Sequence, residues 1–252
     1  MLCFEPAPDR ITLAPNQVHV WLVSTDSESA DLGHLVNLLS SDEKARAGRF
    51  HFEKDRRVFI MGRRALRLLL GRYVGREPAS LRFVYSSHGK PAWTASGSPD
   101  APDFNVSHSG TTILLAFSPG HPVGVDVEQI RRSPDLEDLA GRYFSAAEAD
   151  LLFSLPEIHR PEAFFACWVR KEAFLKAHGQ GLSFGLDRFE VSLLPGEEAR
   201  LIRIRDDEAE AREWTLYDLP VDPGYKAALA VRARPGKISC YFWPAGTGVD
   251  EF

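Results

Sequence analysis

The sequence predicts an α+β fold, and three observations carry that prediction. Short β-branched runs such as Val18–Val23 (VHVWLV) have strand character, while longer stretches such as 55–73 keep a helical spacing of apolar residues. The two kinds alternate unevenly, without the regular strand–helix rhythm of a doubly wound sheet. With 252 residues, 44% hydrophobic and 11% aromatic, the chain can bury a sizeable core as one large domain or two halves.

Taken in order, Val18–Val23 reads as a strand. Ser40 with Glu43 three residues later forms a capping box that opens a short helix. Residues 55–73 form a longer helix, with Val58, Met61, Ala65, Leu66, Leu69 and Tyr73 on one face and arginines on the others. Leu81–Tyr85 reads as a strand, and Ser86–Pro91 (SSHGKP) as a turn. Phe104–Val106 and Ile113–Phe117 read as a strand pair around a Ser-Gly turn, and Val123–Glu128 as a further strand. Pro161–His178 is the clearest helix of the second half, with proline in its first turn and Gly179 just past its end. Strands at Phe189–Leu194, Trp214–Asp218, Ala227–Ala233 and Ile238–Phe242 complete the chain. The loop Ser118–Pro122 (SPGHP) is the candidate junction of two halves, and no short repeat or low-complexity tract is visible.

Composition excludes several classes. No apolar run approaches the length of a bilayer span, and Glu5 and Asp9 stand where a signal peptide would be apolar. Cys3, Cys167 and Cys240 form neither a disulfide framework nor a CxxC pair, which fits a reducing, cytoplasmic setting. A net charge of −5 argues against general nucleic-acid binding. That charge is uneven: between Lys44 and Arg76 eleven Lys/Arg face only Glu53 and Asp55, a window of +9 against a remainder of −14. Such a block suits a polyanionic ligand or an acidic partner, and equally a solvated helix face.

Two stretches carry chemistry. In Gly124-Val125-Asp126-Val127-Glu128 the valines point to one face of a strand, and Gly124, Asp126 and Glu128 to the other. Two carboxylates about 7 Å apart can converge on a hard cation, with Gly124 leaving room beside them. The same D-x-E pattern also occurs on ordinary wet strand faces. In the helix 161–178, Trp168, Glu172 and Lys176 are four apart and run up one side. Glu172 falls inside the apolar arc, where a carboxylate is costly unless a metal, cation or proton compensates it; a surface pair with Lys176 is the plainer alternative. Asn105-Val106-Ser107-His108-Ser109-Gly110 leaves a strand with a hydroxyl, an imidazole and a glycine turn, and Gly89-Lys90-Pro91 puts a lysine on a rigid turn; both could meet phosphate. His108 could instead serve as a base, but no G-x-S-x-G elbow accompanies it.

FNVSHSG, then GVDVE after a hairpin, then WVRKEAFLKAHGQGL some 40 residues on, resembles the Sfp-type 4′-phosphopantetheinyl transferases in order and spacing. SSDEKARAGRFHFEKDRRVFIMGRRALR and HGKP are similar to that family's N-terminal segment and G-K-P turn, and VDPGYKAALAV continues the likeness. The resemblance implies two pseudo-twofold-related α+β halves, here 1–118 (coenzyme A nucleotide contacts) and 123–252 (metal and catalytic residues). It implies transfer of 4′-phosphopantetheine from coenzyme A to a serine of an acidic apo carrier protein, acyl, peptidyl or aryl, with release of adenosine 3′,5′-bisphosphate. Carried over residue by residue, Asp126, Glu128 and Glu172 would hold Mg²⁺ against the pyrophosphate. Glu172 would act as general base, and Lys176 would neutralise the phosphate under attack. Arg46, Gly89, Lys90, Pro91, Ser107 and His108 would meet coenzyme A, with Asp126 and Lys176 at its pyrophosphate. Trp168 and Lys171 also match the motif. Neither nucleic acid nor membrane is an expected partner, and a monomer is expected, since the homotrimeric type of the family needs only half this length.

Two other classes compete. A Mg²⁺-dependent phosphohydrolase of coenzyme A would use the same acids with water in line. A basic-helix binding module would bind nucleic acid with a steep salt slope.

Overall fold

The computed structural model describes residues 2–25, 32–86, 89–94, 101–131 and 135–243. His88 of the expected turn lies outside the described residues. The chain runs β1 (Phe4–Pro6), β2 (Gln17–Ser24), α1 (Leu32–Leu35), α2 (Ser41–Ala47), α3 (Glu53–Val74), β3 (Phe83–Tyr85), β4 (Pro91–Trp93), β5 (Pro102–Ser109) and β6 (Thr112–Pro119). It continues β7 (Val123–Gln129), α4 (Leu136–Tyr143), α5 (Ala146–Ser154), α6 (Arg160–His178), β8 (Phe189–Val191), β9 (Leu201–Ile204), α7 (Glu208–Ala211), β10 (Thr215–Asp218), β11 (Tyr225–Val231) and β12 (Lys237–Phe242). Helices and mostly antiparallel sheets mix as an α+β fold.

Two units divide between Gly120 and His121. The first carries a five-stranded sheet of order β1-β12-β2-β6-β5, and the second a three-stranded sheet of order β10-β11-β7. Strand β12 thus returns to the first unit, pairing in parallel with β1 and β2. The expected halves, 1–118 and 123–252, differ from this at the C-terminal end, because the alternating Ile238, Cys240 and Phe242 find open strand edges on β1 and β2.

Each unit repeats one plan. A strand leads through short helices into a long helix, then a two-stranded hairpin, then an antiparallel pair that returns beside the first strand. In the first unit these are β2, α2, α3, β3–β4 and β5–β6; in the second they are β7, α5, α6, β8–β9 and β10–β11. The order β2-β6-β5 therefore matches β7-β11-β10. No sequence identity between the units is needed for this, because strand alternation and helix spacing alone specify the layers.

The long helices organise the two cores. Leu66, Leu69 and Leu70 of α3 pack with Trp21, Val23 and Phe117. The helix ends where Gly75 takes a left-handed φ of 63°. Phe164, Phe174 and Ala173 of α6 pack with Phe144, Phe189, Trp214 and Ala228. Burying each such aromatic ring contributes about 2–3 kcal/mol. One expectation for α3 fails: arginine is not confined to its wet faces, since Arg64 and Arg67 are buried. Helices α4 and α5 and strands β1, β4 and β9 carry no expectation from the sequence reading. Helix α5 nonetheless opens on Ser145 and Glu148, the capping-box signal already recognised at Ser40 and Glu43. Among the described residues no helix is long and apolar enough to cross a membrane.

Candidate functional site

On β7, Gly124, Asp126 and Glu128 share one face, opposite Ala230, Ala228 and Lys226 of β11. Helix α6 lies against that face. A Cβ at position 124 would overlap the carbonyl oxygen of Ala173 and the amide of Ala177. The room expected beside the carboxylates is thus filled by helix backbone. Glycine is required because nothing larger lets helix and strand meet at this distance. The close approach brings Glu172 and Lys176, one turn apart on α6, down to the acids of β7.

Lys176 Nζ donates to Asp126 Oδ1 at 2.6 Å and to the Val125 carbonyl at 3.3 Å. Asp126 is buried, and Lys176 and Glu128 are half-buried. The Glu172 carboxyl is pushed above the ordinary glutamate range, first by burial and then by the negative charges of Asp126 and Glu128, with Lys176 opposing. These three acids therefore feel one another, and an all-oxygen donor set of this charge suits Mg²⁺ or another hard cation. Among the described residues no three His, Cys, Asp or Glu side chains already converge tightly enough to hold a metal ion. The Lys176 ammonium takes one of the two Asp126 carboxylate oxygens. The alternative Glu172–Lys176 surface pair gives way to this contact.

The remaining candidates lie in the first unit. Arg46 is exposed on α2, its guanidinium 5.2 Å from the centre of the Phe59 ring. Gly89 has φ of 79°, a conformation glycine adopts without strain, and places Lys90 on the turn before β4. Lys90 Nζ stands 3.5 Å from Asp103 Oδ2, which ties the turn to β5, and Pro91 opens β4. Ser107 and His108 do not leave a strand, as expected, but sit within β5; the corner comes at Gly110. Being adjacent in a strand, they point to opposite faces, Ser107 buried and His108 exposed.

Of the other motif residues, Trp168 stacks on Phe164 and meets the edge of Tyr143, so it packs the core. Lys171 is fully buried and pairs with Glu148 at 2.7 Å. Arg170 binds the Asp218 carboxylate through two nitrogens and the Ser192 carbonyl. Glu148 was missing from the sequence reading although its capping box was legible.

Two family models cover most of the chain: "4'-phosphopantetheinyl transferase superfamily" matches residues 122–230, and "4'-phosphopantetheinyl transferase, N-terminal" matches residues 25–120. The chain is 40% identical over 226 residues to the 4'-phosphopantetheinyl transferase HetI of Nostoc, spanning 90% of this chain and 92% of that protein. The chain belongs to the 4′-phosphopantetheinyl transferase family. The 4'-phosphopantetheinyl transferase Sfp of Bacillus subtilis is 31% identical, with 77% of this chain and 82% of that protein aligned. The human L-aminoadipate-semialdehyde dehydrogenase-phosphopantetheinyl transferase is 30% identical over 80% of this chain and 69% of its own length. Within this phosphopantetheinyl transferase the two model boundaries fall beside the Gly120/His121 division of the units.

Proposed function

We propose that the protein transfers 4′-phosphopantetheine from coenzyme A to a serine of an apo carrier protein, releasing adenosine 3′,5′-bisphosphate. Beyond family membership, one observation carries the reading: Glu172 and Lys176 are brought onto the acidic face of β7 by the close contact at Gly124. Asp126, Glu128 and Glu172 would hold Mg²⁺, which when bound neutralises pyrophosphate charge and stabilises the leaving phosphate oxygen. The carrier serine oxygen forms a bond to the phosphorus bearing the pantetheine arm. The bond from that phosphorus to the bridging pyrophosphate oxygen breaks, and the serine proton passes to Glu172.

The chain's own groups suit those tasks. A carboxyl raised by burial and neighbouring acids is a better proton acceptor than an ordinary glutamate near neutral pH. Lys176, already directed at Asp126, supplies positive charge where the transferred phosphate gains negative charge. Arg46, Lys90, Ser107 and His108 would contact the nucleotide end of coenzyme A, supplying binding energy remote from the reacting phosphorus. The basic window around α2 and α3 supports an acidic carrier as partner. The protein would act as a cytoplasmic monomer.

The test is mass spectrometry of a panel of apo carrier proteins after incubation with coenzyme A and Mg²⁺. The expected result is a gain of one phosphopantetheine on the carrier serine, dependent on Glu172. Release of adenosine bisphosphate without any carrier would instead identify a phosphohydrolase.

A further inference from the structure

We propose that Glu148 and Lys171 are positioning residues, an internal ion pair that sets the rotation and height of α6 and so directs Glu172 onto β7. The proposal rests on the reading of Glu172 as the functional carboxylate. Lys171 is fully buried, and its ammonium has three donors for three acceptors: Glu148 Oε2 at 2.7 Å, the Leu186 carbonyl at 2.8 Å and the Phe189 carbonyl at 2.6 Å. Its Nζ also stands 4.3 Å from the centre of the Phe189 ring. Glu148 in turn accepts from the amides of Ser145 and Val191 at 2.9 and 2.8 Å, and from the Cys167 thiol. Every charge is compensated by groups from α5, α6 and the segment entering β8. Adjacent helix residues point about 100° apart, so holding Lys171 toward α5 and β8 fixes the direction of Glu172. The contact at Gly124 limits the approach from the other side.

The first unit carries the same device. Glu43, third residue of its own capping box, bonds the Ser40 amide and accepts from Arg67 Nε at 2.8 Å. Arg67 also donates to two carbonyls of the following segment, Pro78 and Leu81, and lies 5.2 Å from the centre of the Phe83 ring. Each feature has its counterpart around Lys171. Counting along the long helices from this pair sets Leu68 against Glu172 and Arg72 against Lys176. On β2, His19 and Trp21 both meet the Tyr73 hydroxyl of α3, so the face of β2 turned to its long helix carries an imidazole and an indole where β7 carries Asp126 and Glu128. The first unit thus keeps the buried pair but has leucine in place of Glu172 and no acid at His19 or Trp21. A device retained where the acids are gone serves helix placement, and Lys171 needs no contact with substrate to do so.

Lys171→Met, Lys171→Arg and Glu148→Gln, assayed at 15 °C, test this through coenzyme A KM, kcat per folded molecule and Mn²⁺ affinity by paramagnetic resonance. Lys171→Met and Glu148→Gln each leave a buried charge unmatched, and Tm should fall by roughly 10 °C. Their kcat should fall roughly tenfold or more and Mn²⁺ binding should weaken roughly fivefold, with coenzyme A KM within about twofold. Lys171→Arg should retain kcat within about threefold, because arginine fills the same role at position 67. If Lys171→Met does not fold, the Glu148→Gln/Lys171→Met double variant, which has no unmatched charge, should show the same kcat and Mn²⁺ losses. Unchanged kcat and Mn²⁺ affinity at lowered Tm would overturn the proposal, as would a Lys171→Arg loss equal to that of Lys171→Met. A wild-type protein that loads no carrier would refute the transferase reading instead, leaving Mn²⁺ affinity to decide on the pair; wild-type protein that binds no Mn²⁺ overturns the pair's role as well.

Discussion

Lys176 reaches down from α6 to Asp126 on β7, Nζ to Oδ1 at 2.6 Å, so the buried aspartate is matched by an ammonium before any divalent cation arrives. A divalent cation held by Asp126, as proposed, would share that carboxylate with the lysine and be repelled by it. Lys176→Met should lower kcat by about 100-fold, from lost neutralisation of the attacked phosphate. The same change should leave Mn²⁺ affinity unchanged or tighter. Steady-state kinetics with a parallel Mn²⁺ titration checks both; weaker metal binding in this variant would contradict the assignment.

Glu172→Gln should reduce carrier loading about 1,000-fold or more while weakening coenzyme A binding by less than about tenfold. Calorimetric titration with coenzyme A separates the two effects. In metal-free protein the raised Glu172 carboxyl binds its proton more tightly folded than unfolded. Its contribution therefore makes stability fall as pH rises above the ordinary glutamate value of 4.5. Mg²⁺ should raise Tm at neutral pH, and Glu172→Gln should remove most of that rise.

Gly124→Ala should cost about 2–3 kcal/mol or more, because the new methyl meets main chain of α6, which cannot turn aside as a side chain would. Urea unfolding gives the loss. Activity at 15 °C should fall further than the folded fraction does, since lifting α6 withdraws Glu172 and Lys176 together.

His19 supplies a pH dependence in the first unit. It is buried beside Tyr73, whose hydroxyl lies 2.8 Å from Nδ1, and burial with the charge of Lys237 pushes it from 6.5 down to about 4. Above pH 6.5 it is neutral folded and unfolded, and contributes no slope. Between about 6.5 and 4 only the unfolded chain takes the proton, so stability should fall by roughly 3 kcal/mol over that interval. Denaturant midpoints for wild type and His19→Asn across this range check it, the variant showing the shallower decline.

Much of this was legible in the sequence, for identifiable reasons. Alternation in GVDVE and the four-residue spacing of Trp168, Glu172 and Lys176 are local, and they specify faces without knowledge of the partner element. The helix end at Gly179 and the start at Ser40 are local too. What the residues did not disclose was long-range. Lys171 and Arg67 look like surface cations until Glu148 and Glu43, far off in sequence, are folded against them. Gly124 looked like space for an ion until α6 was seen to fill it. Strand β1 has only three residues and no alternation long enough to read. The alternation of Ser107 and His108 across β5 was hidden by a strand end placed too early.

Strand β12 bears on how the chain comes off the ribosome. It sits between β1 and β2, parallel to both, although more than 200 residues separate it in sequence from the end of β2. Residues 121–236 leave the exit tunnel with all their own strands, while the unit begun first lacks an internal strand until the later one has emerged. Vectorial synthesis here inverts the usual N-terminal-first order. The facing edges of β1 and β2 lack their partner until residues 237–242 have been made, a window in which a chaperone, or another nascent copy, would find them open.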